Sequence, residues 1–111
     1  MKNYYDEYVG LAIQLCAKED YADIQKVKKN NQAIDKLFLL EKEMVQRGYD
    51  DIFLALMGHN NEKVRLSAAA ACLQLNTHSD KAIETLKNII QYSNDSTYRF
   101  EAEMILKTKN V

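Results

Sequence analysis

A chain of 111 residues carrying 15 basic and 16 acidic side chains, with a formal net charge of -1, has the size of one domain over residues 1–111. It has no surplus of charge to hold nucleic acid or an anionic membrane surface. The opening stretch MKNYYDEYVG places acids where a secretory signal needs a basic and then an apolar run, and the longest apolar stretch, Leu37 to Leu40, is far too short to span a bilayer, so a cytoplasmic protein is expected.

There is no proline and there are three glycines, so the chief breakers of helical runs are scarce and the chain reads as helix throughout. The first helix starts at Asn3 as N-cap, with Asp6 and Glu7 in its first turn, and ends near Lys18. Tyr5, Tyr8, Ala12 and Leu15 share one stripe, with Val9, Ile13 and Cys16 beside it. From Tyr21 to Arg47, the positions Ile24, Val27, Ile34, Leu37, Phe38, Leu40, Met44 and Val45 keep a helical period. The polar run Lys28 to Gln32 leaves open one long helix or two joined near Asn30 and Asn31. Gly48 stands where a left-handed C-terminal cap is wanted, Asp50 or Asp51 caps a short helix through Met57, and Gly58 repeats the stop signal.

The helix from Asn61 to Asn76 carries two apolar stripes, Val64, Ala68, Cys72 and Leu75 on one and Leu66, Ala69, Ala70 and Leu73 on the other, which predicts a central helix packed on more than one side. Its four alanines, Ala68 to Ala71, let neighbouring helices approach closely. A loop at Thr77 to Asp80 leads into a helix from Lys81 to Tyr92, capped by Ser79 or Asp80, with Ala82, Ile83, Leu86, Ile89 and Ile90 inward. Asn94 or Asp95 caps the last helix, whose inner stripe is Tyr98, Ala102, Ile105 and Leu106.

The stretch from Ile52 to Cys72 reappears as Leu86 to Leu106, offset by about 34 positions, a period that marks helical repeats. In this register Arg65 matches Arg99 and Ala68 matches Ala102. Glu103 and Lys107 stand where the central helix has Ala69 and Leu73, as befits a terminal repeat whose outer face meets water.

The segment HNNEKVRLSAAAACL resembles the second-helix segment of HEAT and armadillo-type repeats, with a polar turn, a Val-Arg pair and small residues at helical spacing. More narrowly, EKEMVQRGYDDIFLALMGHNNEKVRLSAAAACLQL followed by DKAIETLKNIIQ resembles a family of short bacterial HEAT-like proteins catalogued as a domain of unknown function. The resemblance implies an all-α, HEAT-like α-α superhelix, a right-handed solenoid of five to six helices whose second helices line a concave surface.

Arg65 and Arg99 occupy the same place in the two repeats. An arginine fork can clamp a carboxylate or phosphate of a partner, but in HEAT-like repeats this position ties one turn to the next, with Glu62, Asp95 and Glu101 as candidate acceptors. His59 and His78 fall in loops with no metal-type spacing and are expected to be solvated. Cys16 and Cys72 lie on apolar stripes and are expected to be buried reduced thiols. No metal or cofactor is expected, and no nucleophile elbow, phosphate loop or carboxylate pair marks a catalytic site. Among seven tyrosines, Tyr4, Tyr92 and Tyr98 are candidates for surface use, tyrosine being enriched at interfaces. The basic run Lys26, Lys28 and Lys29 is interspersed with acids and reads as a solvated face.

The reading that follows is a non-enzymatic protein-binding module with Arg65, Tyr92, Tyr98 and Arg99 as partner-binding residues. Its specific form is an immunity or antidote protein that neutralises a bacterial toxin. The alternatives are a nucleic-acid-binding HEAT-like protein, disfavoured by the balanced charge, and a structural homo-oligomer.

Overall fold

The structure, a computed structural model, describes residues 3–14 and 24–109, with side chains described from residue 32 onward in the second stretch. The expected end of the first helix near Lys18, Leu15, Cys16, the start of the second helix at Tyr21 and the side chains of the lysines of the basic run lie outside this description. Among the described residues there are six helices and no strand: α1 (Tyr4–Gln14), α2 (Ile24–Gln46), α3 (Ile52–Leu56), α4 (Glu62–Gln74), α5 (Ser79–Tyr92) and α6 (Ser96–Thr108). They divide into two compact units, Met1–Tyr49 and Asp50–Val111.

In the first unit α1 packs on α2. Asn3 caps α1 as its sequence requires, its Oδ1 accepting the Asp6 amide at 3.1 Å. Tyr8 and Ala12 are fully buried; Ala33, Leu37, Leu40 and Met44 of α2 are buried too, with Glu41 among them. The polar run at Lys28 to Gln32 does not break α2, which is continuous over 23 residues. Ile34 and Phe38, expected on its apolar face, are instead exposed. A helix advances about 100° per residue, so Phe38 lies well round from Leu37, and the arc centred on Leu37 and Met44 is the one that becomes buried. At its end Gly48 adopts φ 78°. The Tyr49 amide then reaches the Met44 carbonyl at 2.7 Å and the Gly48 amide that of Val45 at 3.0 Å, the paired bonds by which a left-handed residue closes a helix.

In the second unit α4 is the hub, in contact with α3, α5 and α6. Both apolar stripes are used, Val64, Ala68 and Cys72 of one and Leu66, Ala69 and Leu73 of the other being buried, with Cys72 a buried thiol. Leu75 and Ala70, expected on the same stripes, are only half-buried, and Ala71, which lies on neither, is buried. Asn61 caps it, accepting the amides of Lys63 and Val64 at 2.9 and 3.3 Å. Asp95 caps α6 in the same way, accepting from Thr97 and Tyr98 at 2.9 and 3.3 Å. Both helices have 13 residues, so the matched second halves of the sequence echo have the same bounds.

Three expected helix ends, two starts and one stop, differ in their mechanism. Asp51 occupies the N-cap of α3 without a side-chain cap bond, its backbone being helical (φ -62°, ψ -21°) where the capping Asn61 and Asp95 are extended; the first turn closes through amides of Phe53 and Leu54 on the carbonyls of Asp50 and Asp51. Gly58 turns the chain without a positive φ, through its amide on the Ala55 carbonyl at 3.1 Å. Helix α5 begins at Ser79, so Ser79 and Asp80 fall inside its first turn and His78 takes the cap position in a left-handed conformation with φ 48°.

Candidate functional site

The turn leading into α4 shows what Arg65 does. His59 Nδ1 accepts the Asn61 amide at 2.9 Å, which requires that nitrogen to carry no proton. Arg65, one turn into the helix, sends Nη1 back to the carbonyls of His59 at 2.7 Å and Asn60 at 3.1 Å, and its Nη2 lies 3.8 Å from Glu62 Oε2. The guanidinium thereby satisfies loop carbonyls, the tying role that its place in the pattern suggests. The turn before α6 repeats the plan with Ser93 in the place of His59: Ser93 Oγ accepts the Asp95 amide at 3.0 Å. Arg99 does not repeat it. It is exposed, and its side chain takes part in no hydrogen bond or ion pair among the described residues. Asp95 is used as a cap, and Glu101 pairs with Lys63 at 3.6 Å, so of the acceptors proposed for the two arginines only Glu62 is near one.

This asymmetry is testable. Arg65→Ala removes a charged donor from two carbonyls and should cost about 1–3 kcal/mol, whereas Arg99→Ala should stay within about 0.5 kcal/mol of the parent. Chemical denaturation of the two variants side by side measures the difference, and equal losses would contradict the assigned roles.

The far side of Arg65 borders a groove of about 200 Å³ lined by Met57, Arg65, Lys81, Glu84, Thr85 and Asn88. A second depression continues along the outer face of α5, lined by Asp80, Ile83, Glu84, Lys87, Asn88, Gln91 and Tyr92. Glu84 and Asn88 belong to both, so one continuous surface runs from Arg65 at one end to Tyr92 at the other. Lys81 to Tyr92 covers roughly 17 Å of helix at 1.5 Å per residue. Charges of both signs alternate along it, Lys81 Nζ standing 3.8 Å from Glu84 Oε1, and it ends in Tyr92, a residue that is 68% exposed. A stripe of mixed charge, side-chain amides and one aromatic anchor can grip a polar protein surface.

A second cluster lies where the loop after α4 meets the start of α3. Thr77 Oγ1 donates to Asp50 Oδ2 at 2.6 Å, and His78 Nε2 lies 3.1 Å from Asp51 Oδ1 and 3.8 Å from Asp50 Oδ2. The Thr77 hydroxyl, chiefly, with a backbone amide and the neighbouring His78, holds the Asp50 carboxyl below the usual aspartate range. Donor atoms of Asp50, Asp51 and His78 lie within 4.8 Å of one another, but Asp51 is 87% exposed on its side chain and the internal hydrogen bonds already account for the arrangement. Its physical role is to pin the left-handed residue His78 and the loop that carries it to α3. Nothing in the spacing announces this corner, since 27 residues separate its halves; both aspartates read as helix caps and His78 as a solvated loop residue.

A family model described as a domain of unknown function, DUF2019, matches residues 6–109. The chain belongs to this family. No curated protein and no solved structure matches it. The DUF2019 match takes in the Arg65 turn, the whole α5 surface and the Asp50–His78 corner.

Of the four partner-binding residues expected in this DUF2019 chain, Arg65 and Tyr92 border the α5 surface, while Arg99 and Tyr98 belong to α6. Tyr98 is half-buried on the inner side of that helix and Arg99 is on its outer side. The outer side of α6 also exposes Phe100, at 62%, and Met104, at 44%. The sequence pattern does not announce them, because they fall opposite the stripe of Ala102 and Leu106 that makes the helix amphipathic.

Proposed function

We propose that this chain is a non-enzymatic protein-binding module of HEAT-like, right-handed superhelical character, and that it grips a protein partner along the outer face of α5. The observation that carries this reading is the continuous surface from Arg65 to Tyr92, which offers paired charges, amides and an exposed ring but converges on no reacting group. The 13-residue helices α4 and α6, with their matching cap geometry and an offset of about 34 positions, support the repeat character. Balanced charge and a surface suited to covering another protein fit a cytoplasmic immunity or antidote protein that blocks a toxin's working face. The described residues contain no helix long and apolar enough to cross a membrane.

Co-expression with the product of the adjacent gene tests the specific form. A stable complex and protection of the host are expected; absence of both would remove the antidote role. Within such a complex, Tyr92→Ala should weaken binding by about tenfold or more, since an exposed interface tyrosine behaves as an anchor, without change in melting temperature. A complex indifferent to Tyr92→Ala and to Lys87→Glu would place the partner on another face.

A further inference from the structure

The outer face of α6 is self-complementary. At about 100° per residue Phe100 lies in the middle of the exposed arc, with Met104 one turn on, and Arg99 and Glu103 side by side along the same flank. Arg99 and Glu103 are four residues apart and opposite in charge, yet neither takes part in an ion pair among the described residues. The order, cation before anion, is the less favourable one for pairing within a helix. It is well suited to pairing between helices. When a second α6 lies antiparallel across a two-fold axis, the same flank of each helix meets, so that Arg99 faces the partner's Glu103 and Glu103 faces the partner's Arg99. The axis then passes at the level midway between these two residues, and the two Phe100 rings come within roughly 3 Å of each other along the helix direction, where they can pack together.

We propose that α6 is the contact of an isologous homodimer, with Phe100 and Met104 at its centre and two reciprocal Arg99–Glu103 pairs at its edge. A two-fold interface needs a patch that complements itself when reversed, and a cation and an anion one turn apart beside an apolar pair meet that need. An unrelated partner would have to supply the same pattern independently. A helix of 13 residues is about 20 Å long and buries only roughly a quarter of the 800 Å² per partner typical of stable complexes, so the dimer is weak and depends on concentration. The contact is separate from the α5 surface and does not rest on the reading given to it.

Sedimentation velocity over about three decades of concentration at low ionic strength measures the association. The parent chain should shift from monomer to dimer. Arg99→Glu and Glu103→Arg should each weaken self-association at least about fivefold by bringing like charges together, and Phe100→Ser should abolish it, all three with unchanged helical circular dichroism. The two charge variants mixed in equal amounts should recover a dimer, because the flank of one chain then carries only carboxylates at these two positions and that of the other only guanidinium groups. A parent chain monomeric throughout, a dimer indifferent to the single swaps, or failure of the mixture to recover association would each overturn the proposal.

Discussion

Replacing Glu41 by glutamine is expected to stabilise the folded chain near pH 8 by about 3 kcal/mol and to change it little near pH 4.5. Glu41 is 5% exposed, and burial raises its carboxyl from 4.5 to about 7, against the Tyr8 hydroxyl, which donates to Oε2 at 2.7 Å and pulls the other way. Burial wins because one hydrogen bond replaces little of the hydration a carboxylate loses. The folded chain therefore keeps its proton up to about pH 7, whereas the unfolded chain gives it up near 4.5. Between those values the unfolded state binds fewer protons, so stability falls as pH rises, and it levels off above the folded value. Glutamine keeps an oxygen for the Tyr8 hydroxyl and has no charge to lose. Urea denaturation of both chains from pH 4.5 to pH 8 measures the difference; identical pH profiles would show that Glu41 does not carry this cost.

Ala68→Leu is the second large expectation. Ala68 and Ala69 are fully buried in the helix that contacts α3, α5 and α6. Three added carbons at such a crossing must displace a neighbouring helix or force strained rotamers, at a cost of about 1–3 kcal/mol. Glu103→Ala, on the exposed side of α6, should be nearly silent in dilute solution, within about 0.5 kcal/mol. Thermal or chemical denaturation distinguishes them, and equal effects would contradict α4 as the hub. The contrast follows from position alone, because alanine is a good helix former at both places.

Much of the α-helical order was legible because its causes are local. The caps at Asn3 and Asp95 work through amides two or three residues away, as does that of Asn61, where the helix was expected to begin, and Gly48 closes α2 through a conformation that glycine adopts at little cost. The two stripes of α4 required partners on two sides, whatever those partners were. Asp51 does stand at the N-cap of α3, as expected, but makes no side-chain cap bond there: the carboxylates of Asp50 and Asp51 lie instead against Thr77 and His78, and local sequence cannot weigh a nearby amide against a distant hydroxyl or imidazole. The equivalence of Arg65 and Arg99 failed likewise. Each stands one turn after a cap, but Arg65 is engaged with the carbonyls before its helix and Arg99 is turned to solvent.

By itself the sequence determined an all-helical chain of five to six helices, several of their caps and the alanine-rich face on which the second unit is assembled, since these depend on side-chain periodicity and on bonds within a few residues; that Lys28 to Gln32 leave α2 unbroken was decided only in the structure. Tertiary structure decided which aspartates meet Thr77 and His78, that Glu41 rather than a hydrophobic residue sits beside Tyr8, and that Phe100 and Met104 lie outside. These outcomes turn on which faces are covered by helices distant in the chain, and burial, unlike a cap, is a property of neighbours that local spacing does not specify.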